Sequence, residues 1–334
     1  RDVARAADVS VATVSRALNR IEKVAGMTRD RVLKVVDELD YVPHSGARSL
    51  STRRTDTIGV LLPDLHGEYF SELIRGIDLA ARSRGLHLLL SSSHGDPDEA
   101  AAALRAMRSR VDSIIVMLPS AGEELISSRK GTAPMVLLGS GAGGDHPSFE
   151  IDNFAGALAI TRHLLDSGRS RVAFVAGPAD NSEARERLRG YRAAIEAAGG
   201  LERIVEGDFS EQSGRAAAQK FIGRDSPEAI FCANDMMAVG CLFALRDAGV
   251  RVPDDIALAG FDDIPIARYV SPALTTAAVP IAEIGRRALE CCVDLIAGRT
   301  IERRHVFQPT IAIRQSTAST STNRLFPGIE GENS

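Results

Sequence analysis

Residues 9–19 read VSVATVSRALN and hold one long bidentate donor, Arg16, among residues that are otherwise small or apolar. Ser10 is a good N-cap, so the spacing predicts a helix that closes at Asn19. Val14, Ala17 and Leu18 cluster on one face; Ala12, Ser15, Arg16 and Asn19 cluster on the other. A guanidinium fork matches the edge of guanine, and a carboxamide matches adenine. A first turn of small residues, Val11, Ala12 and Thr13, lets such a helix approach base edges closely. Taken alone, these residues fit two readings: a helix for a DNA groove, or a small bundle with a solvated outer face.

Other chemistry is sparse. The four cysteines, Cys232, Cys241, Cys291 and Cys292, form no CxxC pair, so buried free thiols in a reducing compartment are expected. The 7 histidines include no HxH or HxxxH, so neither a metal site nor a cofactor is expected. GSGAGG at 139–144 fits GxGxxG after a strand. That motif must open a helix, and Asp145-His146-Pro147 follows instead, so a loop is the better account. No GxSxG elbow and no GxxxxGK[ST] loop occur, and no catalytic constellation emerges. The protein is therefore not expected to be an enzyme.

The elements that must position these residues are legible in outline. A length of 334 residues suits two or three domains, and 44% hydrophobic residues supply a sizeable core. The net charge is −4, but it is unevenly spread. Residues 1–54 hold 11 Lys+Arg against 7 Asp+Glu, and the remainder 29 against 37, so a basic head precedes an acidic body. No apolar run approaches the ~20 residues that cross a bilayer, and no secretory segment precedes the first helix, so a cytoplasmic protein is expected.

In the head, Asp2–Ala7 has helical spacing with Val3, Ala4 and Ala7 on one side. Thr28 is placed to cap a third helix whose stripe is Val32, Val35, Val36 and Leu39. Three short helices, two of them joined by a tight turn, describe a helix-turn-helix. Pro43 ends the third helix. The following YVPHSGARSLSTRR is too short to be a stable isolated helix. Leu50 has nothing in its own segment to pack on, so the stretch reads as a plain linker or as a hinge that orders on a partner. From Ile58 the pattern becomes strand, helix, strand. IGVLL (58–62), LHLLLS (86–91), SIIVML (113–118) and MVLL (135–138) are buried-strand runs, with helices around 68–84 and 97–110. The pattern restarts with VAFVA (172–176), IVE (204–206), AIFC (229–232) and IALA (256–259). Two successive arrays imply an α/β core of two doubly wound parallel lobes with a cleft between them.

DVARAADVSVATVSRALN, TRDRVLKVVDELDYVP, ARSL and TDTIGVLLPDL together resemble the lactose-repressor (LacI/GalR) family of bacterial transcription regulators, in register from Asp2 to about Ala318. The resemblance implies a head at 1–43, a hinge helix and linker at 44–57, and a core at 58–318 like periplasmic sugar-binding proteins. Its first lobe would span about 58–150 and 281–307, its second about 151–277 and 308–318. The polar tail, 319–334, is expected to be disordered and has no leucine heptads. The family implies a homodimer on double-stranded operator DNA, with the first lobe's helices in contact and no membrane role. It assigns Ser10, Val11, Ala12, Thr13, Ser15, Arg16, Asn19 and Thr28 to the DNA surface. It also assigns Ala47, Arg48 and Leu50, with Leu50 wedged into the minor groove. Gly46 departs from the family by placing a helix-weakening residue in the hinge.

For a small-molecule effector, sugar-like most of all, the resemblance points to Tyr69 and Phe70 in GEYFSEL, Arg187 in ARERLRG and Phe209 in GDFSEQSG. It adds Asn234 in ANDMMAVG and Asp262 in GFDD. Tyr69 and Phe209 would also fit a core, and Asn234 and Asp262 would also fit caps. A guanidinium fork, a carboxylate and an aromatic plate can bind a polyol, and the family also includes purine binders. Gly139, Met117 and Met236 stand where sugar-binding members carry polar groups, so a differently substituted ligand is expected. The rival classes are a periplasmic-type binding protein without DNA function and an enzyme of nucleotide-fold type.

Overall fold

The computed structural model describes residues 2–19, 24–40, 54–118, 133–139 and 146–318. The head is three helices: α1 (Asp2–Ala6), α2 (Val11–Asn19) and α3 (Gly26–Glu38). Ser10 caps α2, its Oγ accepting from the Thr13 amide at 3.0 Å. The core of the head is made of small side chains: Val3, Ala4, Ala7, Val14, Ala17, Val32 and Val35. Two expectations fail here. Thr28 is not a cap, because the Thr28 and Arg29 amides both reach Ala25 O, so the helix has already started at Gly26. Leu39 is not in the stripe: it is the C-cap residue, where the helix ends, and it is 48% exposed. The expected hinge residues Gly46, Ala47, Arg48 and Leu50, and the tail, fall outside the described residues, as does the Asn19 side chain.

The first lobe is a parallel sheet with the order β11-β5-β4-β3-β1-β2. Its strands are β1 (Thr57–Leu62), β2 (His87–Ser92), β3 (Ser113–Met117), β4 (Met135–Leu138), β5 (Ser148–Ile151) and β11 (Arg304–Phe307). The helices α4 (Glu68–Arg82), α5 (Pro97–Met107) and α10 (Ile281–Ile296) cover it. The second lobe has the order β12-β10-β9-β8-β6-β7. These strands are β6 (Val172–Ala176), β7 (Ile204–Glu206), β8 (Ala229–Cys232), β9 (Ala257–Asp262), β10 (Thr275–Ala278) and β12 (Thr310–Ala312). Its helices are α6 (Asn153–Asp166), α7 (Ser182–Ala197), α8 (Glu211–Phe221) and α9 (Asp235–Asp247). β6, β8 and β9 are buried along their whole length, as strands covered on both faces must be.

The chain passes between the sheets after β5, after β10 and after β11. The last passage uses only Gln308 and Pro309. β12 joins β10 antiparallel, so the second sheet is not wholly parallel. The strands without an apolar run, SFEI, TTAA, RHVF and TIA, escaped the sequence reading. The first two bury polar residues instead: Ser148, Glu150, Thr275 and Thr276.

Candidate functional site

Arg187 sits one turn into α7, above the carboxyl ends of the second-lobe strands, and is 3% exposed. Every arm of its guanidinium is engaged. Nε donates to Asn153 Oδ1 at 2.8 Å, and Nη1 donates to the Ala233 carbonyl. Nη2 lies 3.3 Å from Asp262 Oδ1 and 4.0 Å from Glu183 Oε2. The guanidinium carbon lies over the Phe261 ring, 3.9 Å from its centroid. A cation buried in this way needs its partners, since an unpaired buried charge is far costlier than an exposed one.

Asp262 ends β9 with φ 112°, a backbone that an L residue rarely holds, and Asp263 follows at 57°. The turn is held from below by Asp235, which is fully buried. Asp235 accepts Thr276 Oγ1 at 2.6 Å and the Ile264 amide at 3.0 Å. Asp263 is fixed by Arg314 and Arg268. Burial pushes the Asp262 carboxyl up to about 7, the Arg187 guanidinium opposes the shift, and Glu183 adds to it. Glu183 and Asp235 are raised as well, chiefly by burial. Two carboxylate oxygens at this site, Glu183 Oε1 and Asp262 Oδ1, are buried without a hydrogen-bond donor.

Phe209 stands nearby, its ring 5.8 Å from the Arg187 guanidinium carbon. Its backbone is left-handed at φ 71°. Gly177 makes room for the ring: a Cβ there would stand 2.5 Å from it. Asn234 holds this arrangement. Its Oδ1 caps α9 by accepting the Met237 amide, and its Nδ2 donates to the Phe209 carbonyl at 3.0 Å. Asn234 therefore acts on the Phe209 backbone. The first lobe supplies Tyr69 and Phe70, half-buried at the start of α4 and packed edge to face at 5.5 Å. The Tyr69 phenol is pushed up by burial and then by the charges of Glu183 and Asp262, with Arg187 opposing the shift. Glu68 ties the lobes together by accepting the Ile266 amide at 2.8 Å. Gly139, at φ 93°, comes so near that its Cβ would lie 3.4 Å from Glu183 Oε1.

All six expected cleft residues thus gather around one spot, five near the Arg187 cluster and Phe70 behind Tyr69. The sequence reading missed Glu183 and Asn153. Glu183 had a signal, because it stands four residues before Arg187 on one helix face. Asn153 is 34 residues from Arg187 and had none. Met117 and Met236 pack against the apolar core.

On the head, Val11, Ala12, Ser15 and Arg16 are exposed, while Val14 and Ala17 are buried against the other helices. Thr13 is half-buried beside Ser10, and Thr28 is half-buried in the first turn of α3. Arg16 makes no hydrogen bond or ion pair among the described residues. No helix among the described residues is long and apolar enough to cross a membrane. No group of three or more potential metal ligands occurs among them.

Residues 1–44 match the model of the bacterial regulatory proteins of the lacI family, and residues 161–317 match the periplasmic binding protein-like domain. An HTH-type transcriptional repressor PurR of Photobacterium profundum is 36% identical over 326 residues, covering 95% of this chain and 97% of the relative. Its namesake in Proteus mirabilis is 35% identical over 328 residues, covering 95% and 96%. Among solved structures, the lac repressor dimer bound to operator and the anti-inducer ONPF superposes with TM-score 0.85 at 26% identity, over 95% of this chain and 98% of that one. The transcriptional regulator CelR in complex with cellobiose follows at TM-score 0.70 and 30% identity, over 94% and 98%. The chain belongs to the lacI family: it is a ligand-responsive, DNA-binding repressor of that family.

Proposed function

We propose that the protein works as a homodimer on a palindromic operator, with α2 in the major groove and Arg16 on a base edge. Segment 44–57 acts as the hinge. The core, 58–318, senses a small molecule between its lobes, a sugar or sugar derivative first of all. The protein acts in the cytoplasm and catalyses nothing. The observation that carries the sensing half is the cluster of Arg187, Asp262, Phe209 and Tyr69, drawn from both lobes. A ligand that touches both lobes favours one arrangement of them. It can shift operator affinity only by its differential affinity for the two arrangements. A purine or nucleoside is the second reading, favoured by three aromatic side chains at one cleft.

The test is operator affinity by fluorescence anisotropy, with and without a compound that raises the melting temperature. Asp262→Ala is expected to abolish the response while ligand-free operator binding stays within a few-fold. Leu50→Ala is expected to weaken operator binding while the compound still binds by calorimetry. A normal response from Asp262→Ala, or unchanged operator binding by Leu50→Ala, overturns this division of roles.

A further inference from the structure

The two carboxylate oxygens without a donor come from different elements, Glu183 on α7 and Asp262 at the end of β9. Both carboxylates flank one nitrogen, Arg187 Nη2, whose sister nitrogens are spent on Asn153 and Ala233. One guanidinium therefore faces two acids. The other charged groups around them do not balance the excess. Asp263 takes up both Arg314 and Arg268, Asp235 is an acid itself, and Tyr69 is a neutral phenol. Beside Glu183 opens a cavity of about 440 Å³. Its two arginines are also committed, Arg304 to Glu150 at 2.8 Å and Arg189 to Glu186 and the Phe154 face. Gly139 puts no side chain against Glu183 Oε1, which a Cβ there would approach to 3.4 Å.

We propose that the effector presents a protonated amine, as an amino sugar does, with its ammonium seated between Glu183 and Asp262. This rests on the cleft being the effector site. A neutral hydroxyl would give each oxygen a donor but would leave the second negative charge uncompensated, and buried charges are tolerated when paired. The protein alone meets the excess by holding a proton, since burial raises the Asp262 carboxyl to about 7. An ammonium displaces that proton, so amine binding releases protons near neutrality; a neutral polyol releases none.

The experiment is isothermal calorimetry on the full chain, in two buffers of different ionisation heat near pH 7. D-Glucosamine and D-galactosamine are compared with D-glucose and D-galactose. The amine of at least one pair is expected to bind tenfold or more tighter than its hydroxyl partner, with net proton release. The isosteric Glu183→Gln, checked for an unchanged fold by circular dichroism, is expected to reduce that preference at least tenfold. Equal or tighter binding of the neutral partner, or an amine preference that survives Glu183→Gln, overturns the assignment and leaves the sensing cleft standing. If no compound of either series binds or moves operator affinity, the amine assignment and the sugar-class reading fall together.

Discussion

Arg187 and Arg16 are the same side chain used in opposite ways. Arg187 is 3% exposed, engages four polar partners and lies on an aromatic face. Arg16 is exposed on α2 and has no ion pair among the described residues. In the proposed function the first is one part of a receptor built before its ligand arrives, since a small molecule offers too few contacts to organise a loose site. The second is bare, as the proposed function requires, since the partner of a groove-reading helix would lie outside the chain. Clefts of this kind carry their function inside the fold's own energetics, and reading faces carry it outside.

That contrast breaks most visibly at Arg187. Arg187→Leu leaves the buried Asp262 and Glu183 without their cation and Asn153 Oδ1 without its donor. Truncating one partner of a buried ion pair costs about 3–5 kcal/mol. Urea unfolding followed by circular dichroism should show a loss of that order, in the core. A loss below about 1 kcal/mol would mean that the cluster is solvated and that the cleft is not preorganised.

Next in size is the pH dependence that the cleft imposes on stability. An aspartate titrates near 3.9 in an unfolded chain, whereas Asp262 is raised to about 7 in the fold. Between those values the folded state binds more protons than the unfolded one. Its contribution to stability is therefore complete below pH ~4 and is lost as pH rises through about 7. The slope is at most about 1.4 kcal/mol per pH unit for one proton. Asp262→Asn, neutral throughout, should flatten this decline in denaturation midpoints measured from pH 5 to 8. Glu183 and Asp235 are raised in the same direction and leave part of the slope in place. An unaltered profile would mean that Asp262 is charged and solvated in the fold.

Arg16 should behave in the reverse manner. Arg16→Ala should leave the midpoint of unfolding within about 0.5 kcal/mol, as exposed substitutions do. Operator binding should weaken by about 1–3 kcal/mol, with relaxed preference at one base position. Equal losses on operator and on random DNA would reduce Arg16 to a phosphate contact.

The sequence disclosed these two regions unevenly, for physical reasons. Apolar runs marked eight strands, among them β6, β8 and β9, which are buried along their whole length. The four strands next to the passages between lobes, β5, β10, β11 and β12, carried no such mark, and β5 and β10 bury Ser148, Glu150, Thr275 and Thr276 instead. In the cleft, aromatic and charged residues at family positions were legible one by one. The contacts that make them a site were not. Asn153 reaches Arg187 only because the chain passes between lobes at 151–153, and Asn234 acts through the Phe209 carbonyl rather than toward the cleft. In the head, periodicity separated the buried and bare faces of α2 correctly. It misjudged both ends of α3, because caps depend on where the first and last hydrogen bonds close.

The smallest expected effect tests whether the head keeps stability and reading on separate residues. Ser10 accepts the Thr13 amide at 3.0 Å and pairs with the Thr13 hydroxyl at 2.9 Å, so it caps α2. It also stands at the helix end that the proposed function turns toward DNA, where the exposed N–H groups and the helix dipole favour a phosphate. Removing a serine cap costs about 1 kcal/mol. The head's core of valines and alanines has little stability in reserve, so Ser10→Ala should lower the head's thermal midpoint visibly. Ser10→Asp separates the two duties. Aspartate caps as well as serine, but it brings a negative charge to the phosphate side. If Ser10 is a cap alone, Asp restores both the midpoint and operator affinity. If it also holds a phosphate, Asp restores the midpoint and loses operator affinity beyond the Ala variant, most strongly at low salt. The second outcome would place stability and recognition on one side chain in the head as they are in the cleft, and it would narrow the contrast between Arg187 and Arg16 to those two residues.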